Sequence, residues 1–148
     1  MKQSLTLVSV LILAGCGQQP AEQGPEPPAQ GRWYSQALVQ KGAPLFQEYC
    51  AVCHGAQAQG LAQDWRQPLP DGTYPPPPLD GSAHAWHHPL AVLQRTIRLG
   101  GAPVGGQMPA FGEKLDEEER LAIIAWFQEK WNDDIYALWY ERSGIEPR

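Results

Sequence analysis

Cys50-Ala51-Val52-Cys53-His54 decides how the rest of this 148-residue chain is read. Two thiols stand near one helical turn apart, and an imidazole follows the second immediately. Cys-x-x-Cys-His is the attachment pattern for c-type haem. The spacing has a chemical reason: each thiol adds across one vinyl group of the ring, and the next residue is carried to the iron, where imidazole Nε2 binds. Rival readings are weaker. A redox dithiol needs a strand–helix–strand context, and no strand-like alternation surrounds the motif. A structural zinc site needs a second pair of ligands, and the only other cysteine is Cys16. A Cys50–Cys53 disulfide leaves His54 without a role.

Upstream, Met1 to Ala14 carries one early cation, Lys2, and an apolar run from Leu5 to Leu13. That run is too short for a permanent membrane span, which needs about 20 residues, and has the proportions of a secretory leader. Leu13-Ala14-Gly15-Cys16 resembles the lipobox of bacterial lipoproteins. The resemblance implies a leader over residues 1–15, a diacylglycerol on the Cys16 thiol, and an extracytoplasmic protein lipid-anchored to the membrane. Acyl chains hold firmly because each buried CH₂ contributes about 0.8 kcal/mol. The cysteines are then all used, one on lipid and two on the ring. Residues 16–33 are rich in Gln and Pro and lack apolar periodicity, so they read as a flexible linker. A coil of that length spans on the order of 20–25 Å.

Besides the initiator, the chain has a single methionine, Met108, in Gly105-Gly106-Gln107-Met108-Pro109-Ala110-Phe111. The two glycines permit close backbone approach to a flat surface, and Pro109 stiffens the loop. Most methionines fill core gaps; these surroundings mark Met108 instead as the second axial ligand of the iron.

From about residue 35 to residue 131 the chain resembles a class I, single-haem c-type cytochrome. The resemblance rests on Gly42-Ala43-Pro44-Leu45-Phe46 ahead of the haem motif, Pro77-Pro78-Leu79-Asp80-Gly81 after it, and Met108-Pro109. It implies an all-α fold with three main helices around one covalent haem c, held by Cys50 and Cys53 with His54 and Met108 on the iron. It also implies that the Pro77 carbonyl accepts the Nδ1–H of His54, with Pro76 and Pro78 as alternatives in the run of four prolines. The expected layout is a leader over 1–15, a tether over 16–33, a cytochrome domain over 34–131 and a short helical extension over 132–148.

Periodicity alone also gives helices. Apolar residues at 38, 39, 45, 46 and 49 form a stripe, with Pro44 expected to break it and leave a helix over about 43–52. Leu90, Leu93 and Ile97 share a face of a second helix that begins at Pro89 and stops at Gly100-Gly101. Asp116 and Glu119 make a capping box for a third, with Leu121, Ile124, Ala125 and Trp126 toward the core. Gly42 beside Phe46 and Trp126 predicts a close crossing of the first and last of these.

Gly55 to Trp86 reads as a loop covering one haem edge, with Trp65, Arg66 and Tyr74 as candidate propionate contacts. His84, His87 and His88 are either exposed residues at a helix entry or ligands for a further metal ion; His87 or His88 on the iron would give bis-His ligation. Ile135 to Tyr140 is expected to form a helix capped by Asp133 or Asp134 that packs back on the domain, a docking surface being the alternative. A net charge of −5 offers no footprint for nucleic acid. The function expected is transfer of single electrons between extracytoplasmic redox proteins, without substrate chemistry. The alternatives are a haem subunit of a larger oxidase or dehydrogenase, so that association with a respiratory complex is expected, and a gas-binding or sensing protein if Met108 leaves the iron.

Overall fold

Ser35 starts the first helix by accepting the Leu38 amide on its hydroxyl at 3.3 Å. The helix, α1, runs over Gln36–Tyr49 in a computed structural model that describes residues 31–143 and residue 145. The leader, Cys16 and the tether up to residue 30 lie outside the described residues. Pro44 does not break α1, contrary to the expectation of a helix over 43–52. Its side chain is exposed, so the carbonyl it leaves unpaired one turn back is on the solvent side, where water can replace the lost bond.

Four further helices follow: α2 (Ala51–His54), α3 (Leu90–Leu99), α4 (Glu117–Gln128) and α5 (Asp133–Ser143). Short 3-10 turns lie at His84–His87 and Ala102–Val104, and the described residues contain no strand. The fold is all-α, as the sequence implies. Pro89 caps α3 from outside rather than occupying its first turn, and Gly100, at φ +75°, stops it. The α4 capping box forms on both sides: Asp116 accepts the Glu119 amide at 2.8 Å, and Glu119 accepts the Asp116 amide at 2.9 Å.

α1 and α4 cross at Gly42. A Cβ there would collide with the Ala122 carbonyl oxygen and lie 2.5 Å from its carbon and 3.0 Å from Trp126 Cβ. The bare backbone lets Phe46, fully buried, meet Trp126 with ring centroids 4.3 Å apart. α4 is buried on more than the stripe predicted for it, because Ala122, Ile123 and Phe127 are covered too. A helix with neighbours on several sides carries no clean one-face pattern.

α5 is part of the same core. Trp139 and Tyr136 are buried in it, and Trp139 donates its indole N–H to the His88 carbonyl at 2.8 Å. Its cap is Asn132, which accepts the Ile135 amide at 2.9 Å, rather than Asp133 or Asp134. At the other end of the chain, Arg32 and Trp33, read as the end of the tether, are bound in place. Trp33 donates to Gln128 Oε1 at 2.6 Å, and Arg32 lies 3.9 Å over the Tyr136 ring and 3.0 Å from an Asp133 carboxylate oxygen.

Candidate functional site

Cys50 closes α1 and precedes α2, so the haem motif sits on one helical turn. The Cys50 carbonyl accepts the amides of Cys53 at 3.1 Å and His54 at 2.9 Å. Cys50 is buried and Cys53 exposed. Burial pushes the Cys50 thiol up to about 12, with Cys53 adding in the same direction. A redox dithiol of the thioredoxin kind works through a thiol held below its ordinary value. Cys50 is therefore not suited to be the attacking thiol of such a pair.

His54 is 7% exposed. Its Nδ1 lies 2.8 Å from the Pro77 carbonyl oxygen. A carbonyl can only accept, so the proton sits on Nδ1 and the lone pair on Nε2. Nε2 has no hydrogen-bond partner among the described residues. Burial holds the imidazole below its usual value against the smaller, opposite effect of the Pro77 carbonyl. The ring is then neutral near pH 7, the state in which imidazole binds a metal.

The loop after His54 folds back to bring Pro77 there. The His54 carbonyl accepts the Gly60 amide at 2.7 Å, and Gly60, at φ +76°, packs against the Pro78 ring. Leu79 donates to the Ala58 carbonyl at 2.7 Å, while its own carbonyl accepts the Trp131 indole N–H at 2.8 Å. A continuous set of bonds thus joins His54 to the end of α4. Sequence reasoning missed Trp131 and Ala58; nothing local marks a tryptophan as a partner of a backbone carbonyl 52 positions away. Ala58 holds a left-handed φ of 61°, which its residue type gives no reason to expect.

Met108 is half-buried against the core, on the loop after α3. Its carbonyl accepts the Gly101 amide at 2.8 Å. Farther along, Phe111 donates to Ile97 and Gly112 to Arg98, each at 3.0 Å. A Cβ on Gly100 would lie 2.5 Å from the Met108 carbonyl oxygen. Gly100 and Gly101, read from the sequence as a helix stop, therefore also let the Met108 segment lie against the end of α3.

The residues fit a large apolar ring. Val52 within the haem motif, Leu61 in the loop after it, Leu99 at the end of α3 and Val104 in the segment leading to Met108 are large apolar side chains left exposed. A buried imidazole with a free Nε2, beside two thiols on one turn, supplies the donor set. The remaining candidates group elsewhere. Trp65 stacks on His84 at 5.0 Å, with the Arg66 guanidinium 5.1 Å from the Trp65 ring, while Tyr74 is exposed. His84 and His88 face each other at 5.5 Å, and His87 lies against Trp86 at 3.9 Å. Among the described residues, no three His, Cys, Asp or Glu are placed to hold a metal ion.

Residues 37–127 match the family model described as "Cytochrome C oxidase, cbb3-type, subunit III". No curated protein and no solved structure matches the chain. Domains of this kind are typically extracytoplasmic. Among the described residues, no helix is long and apolar enough to cross a membrane. With the match covering more than half of its length, the chain belongs to this family: it is a class I, single-haem c-type cytochrome, an electron-transfer protein whose cofactor is covalent haem c.

Proposed function

We propose that this chain is a membrane-tethered carrier that moves single electrons between extracytoplasmic redox proteins. The observation that carries the reading is the buried His54 ring, with Pro77 behind Nδ1 and Nε2 free, on the turn that bears both thiols. Cys50 and Cys53 hold the ring through thioethers, and His54 Nε2 and the Met108 sulfur hold the iron. Bound haem supplies a one-electron couple whose potential is raised by His/Met relative to bis-His ligation. The chain's own residues set the conditions for it. Pro77 fixes the His54 tautomer and raises the basicity of Nε2. The Gly101–Met108 backbone bond and the Phe111 and Gly112 amides hold the loop that bears the thioether, a weak ligand. With His54 and Met108 both bound, the iron would have no position left for a substrate, so no substrate chemistry is expected. The Cys16 lipid and its tether keep the domain near the membrane surface.

Visible spectra of the matured protein, oxidised and reduced, with and without carbon monoxide, test this reading. A low-spin reduced spectrum indifferent to carbon monoxide is expected. Met108→Ala is expected to lose the sulfur–iron band of the oxidised protein and to gain carbon monoxide binding. Ready binding by the wild type would replace the carrier with a gas-binding or sensing protein.

The wording of the matching family model favours a second reading, a haem subunit fixed to an oxidase or a related respiratory complex. Co-purification of stoichiometric partner subunits from mild detergent separates it from a free carrier.

A further inference from the structure

Between α3, α4 and the end of α5 lies an open cleft of about 730 Å³. Leu90, Leu121 and Ile145 give it apolar walls, and Arg95, Arg98 and Arg120 bring three cations to it. Glu117 is the one carboxylate among its described lining residues. The cleft is thus locally positive on a chain whose net charge is −5.

Arg120 is unusual. It is 8% exposed, yet its guanidinium bonds only neutral acceptors: Nε donates to Gln94 Oε1 at 3.1 Å, and Nη1 to the Leu115 carbonyl. Neither ion pair among the described residues involves it. A largely buried cation without a counter-charge among the described residues is costly. Two of its five donors are spent on fixing the guanidinium plane, which leaves the second Nη1 hydrogen and both Nη2 hydrogens for a ligand. A fixed planar fork is the geometry that accepts a carboxylate or phosphate in two parallel hydrogen bonds.

We propose that this cleft binds an organic oxyanion with an apolar arm, a carboxylate or a phosphate monoester. The oxyanion pairs with Arg120 between Arg95 and Arg98, and the arm lies along Leu90, Leu121 and Ile145. The volume falls in the range of small-molecule pockets, about 300–1,000 Å³. None of these residues lies in the haem motif or the Met108 loop, so the site is distinct from the haem centre. It is joined to that centre through Arg98, whose carbonyl holds Gly112 at the end of the loop that carries Met108.

Hexanoate is the first probe, titrated into the haem-loaded full chain and followed by calorimetry and by amide chemical shifts. Saturable one-site binding is expected, with shifts concentrated on α3 and α4 and affinity falling at high salt. Arg95→Gln together with Arg98→Gln is expected to weaken binding about tenfold or more. Neither side chain makes a hydrogen bond or ion pair among the described residues, so this variant keeps the fold, which Arg120→Gln puts at risk. Hexanol binding as tightly as hexanoate would overturn the charge recognition, and inorganic phosphate doing so would overturn the apolar arm. Equal affinity in wild type and double variant, or no saturable binding, would remove the site altogether.

Discussion

The two residues proposed as iron ligands are held in unlike ways. His54 is fixed by its own ring, through the bond between Nδ1 and the Pro77 carbonyl, while Met108 is fixed by its backbone, through Gly101. The proposed thioether ligand is therefore expected to be sensitive to the end of α3, and Gly100 is the residue that tests it. Its φ of +75° disfavours any side chain, and a Cβ would lie 2.5 Å from the Met108 carbonyl oxygen. Gly100→Ala is expected to cost about 1–3 kcal/mol and to push the Met108 segment away. The readout is a sulfur–iron band weakened in the oxidised protein, with carbon monoxide binding to part of the sample. A band as strong as wild type would show that the loop relaxes without moving the ligand. At this scale the thiols and the imidazole were legible because covalent chemistry fixes their spacing locally. Pro77 could only be narrowed to three neighbouring prolines, since which carbonyl reaches Nδ1 depends on the return of the loop through Gly60. The second use of Gly100 and Gly101 was hidden, because a helix stop already accounted for both.

The α1–α4 crossing bears the two halves of the site, α1 leading into the haem motif and Trp131, three residues past α4, meeting its loop. Gly42 sets how closely they approach. Gly42→Val would drive a side chain into the Ala122 backbone, which cannot swing aside as a side-chain tip can. The expected cost is about 3 kcal/mol, seen as a thermal midpoint lower by on the order of 10 °C. Wild-type stability in that variant would mean that the helices slide without penalty. This crossing was legible because a small residue facing two large ones has a geometric meaning; the course of α1 through Pro44 was not, since it depends on that face being solvated. The 3-10 turn at His84–His87 carries a pH dependence of its own. Burial, then the nearby His88 and His87, hold His84 below the usual histidine value. The folded chain therefore binds fewer protons than the unfolded one as pH falls past about 6.5, and stability falls with it. His84→Gln is expected to flatten that loss, so thermal midpoints of wild type and variant should diverge between pH 7.5 and pH 5. Parallel curves would place the acid sensitivity elsewhere.

The first described residues pack against the junction of α4 and α5. Arg32 reaches the Trp131 and Gln128 carbonyls, the Asp133 carboxylate and the Tyr136 ring, so the segment leading from Cys16 enters the domain beside the start of α5. Burying Trp139 in α5 is worth on the order of 3 kcal/mol, which makes the helix a working part of the domain rather than an appendage. Its packing back on the domain was expected from the sequence, but the partner that fixes Trp139, the His88 carbonyl, is announced by no local pattern. The proposed anchoring through Cys16 is tested at this scale. Cys16→Ser, expressed with its leader and matured with haem, is expected to leave the membrane fraction and appear in the soluble extracytoplasmic fraction with an unchanged spectrum. Retention of Cys16→Ser in the membrane fraction, released only by detergents that dissociate respiratory complexes, would instead show the chain held by protein subunits. In that case the lipid is dispensable, and the oxidase-subunit reading displaces the free carrier.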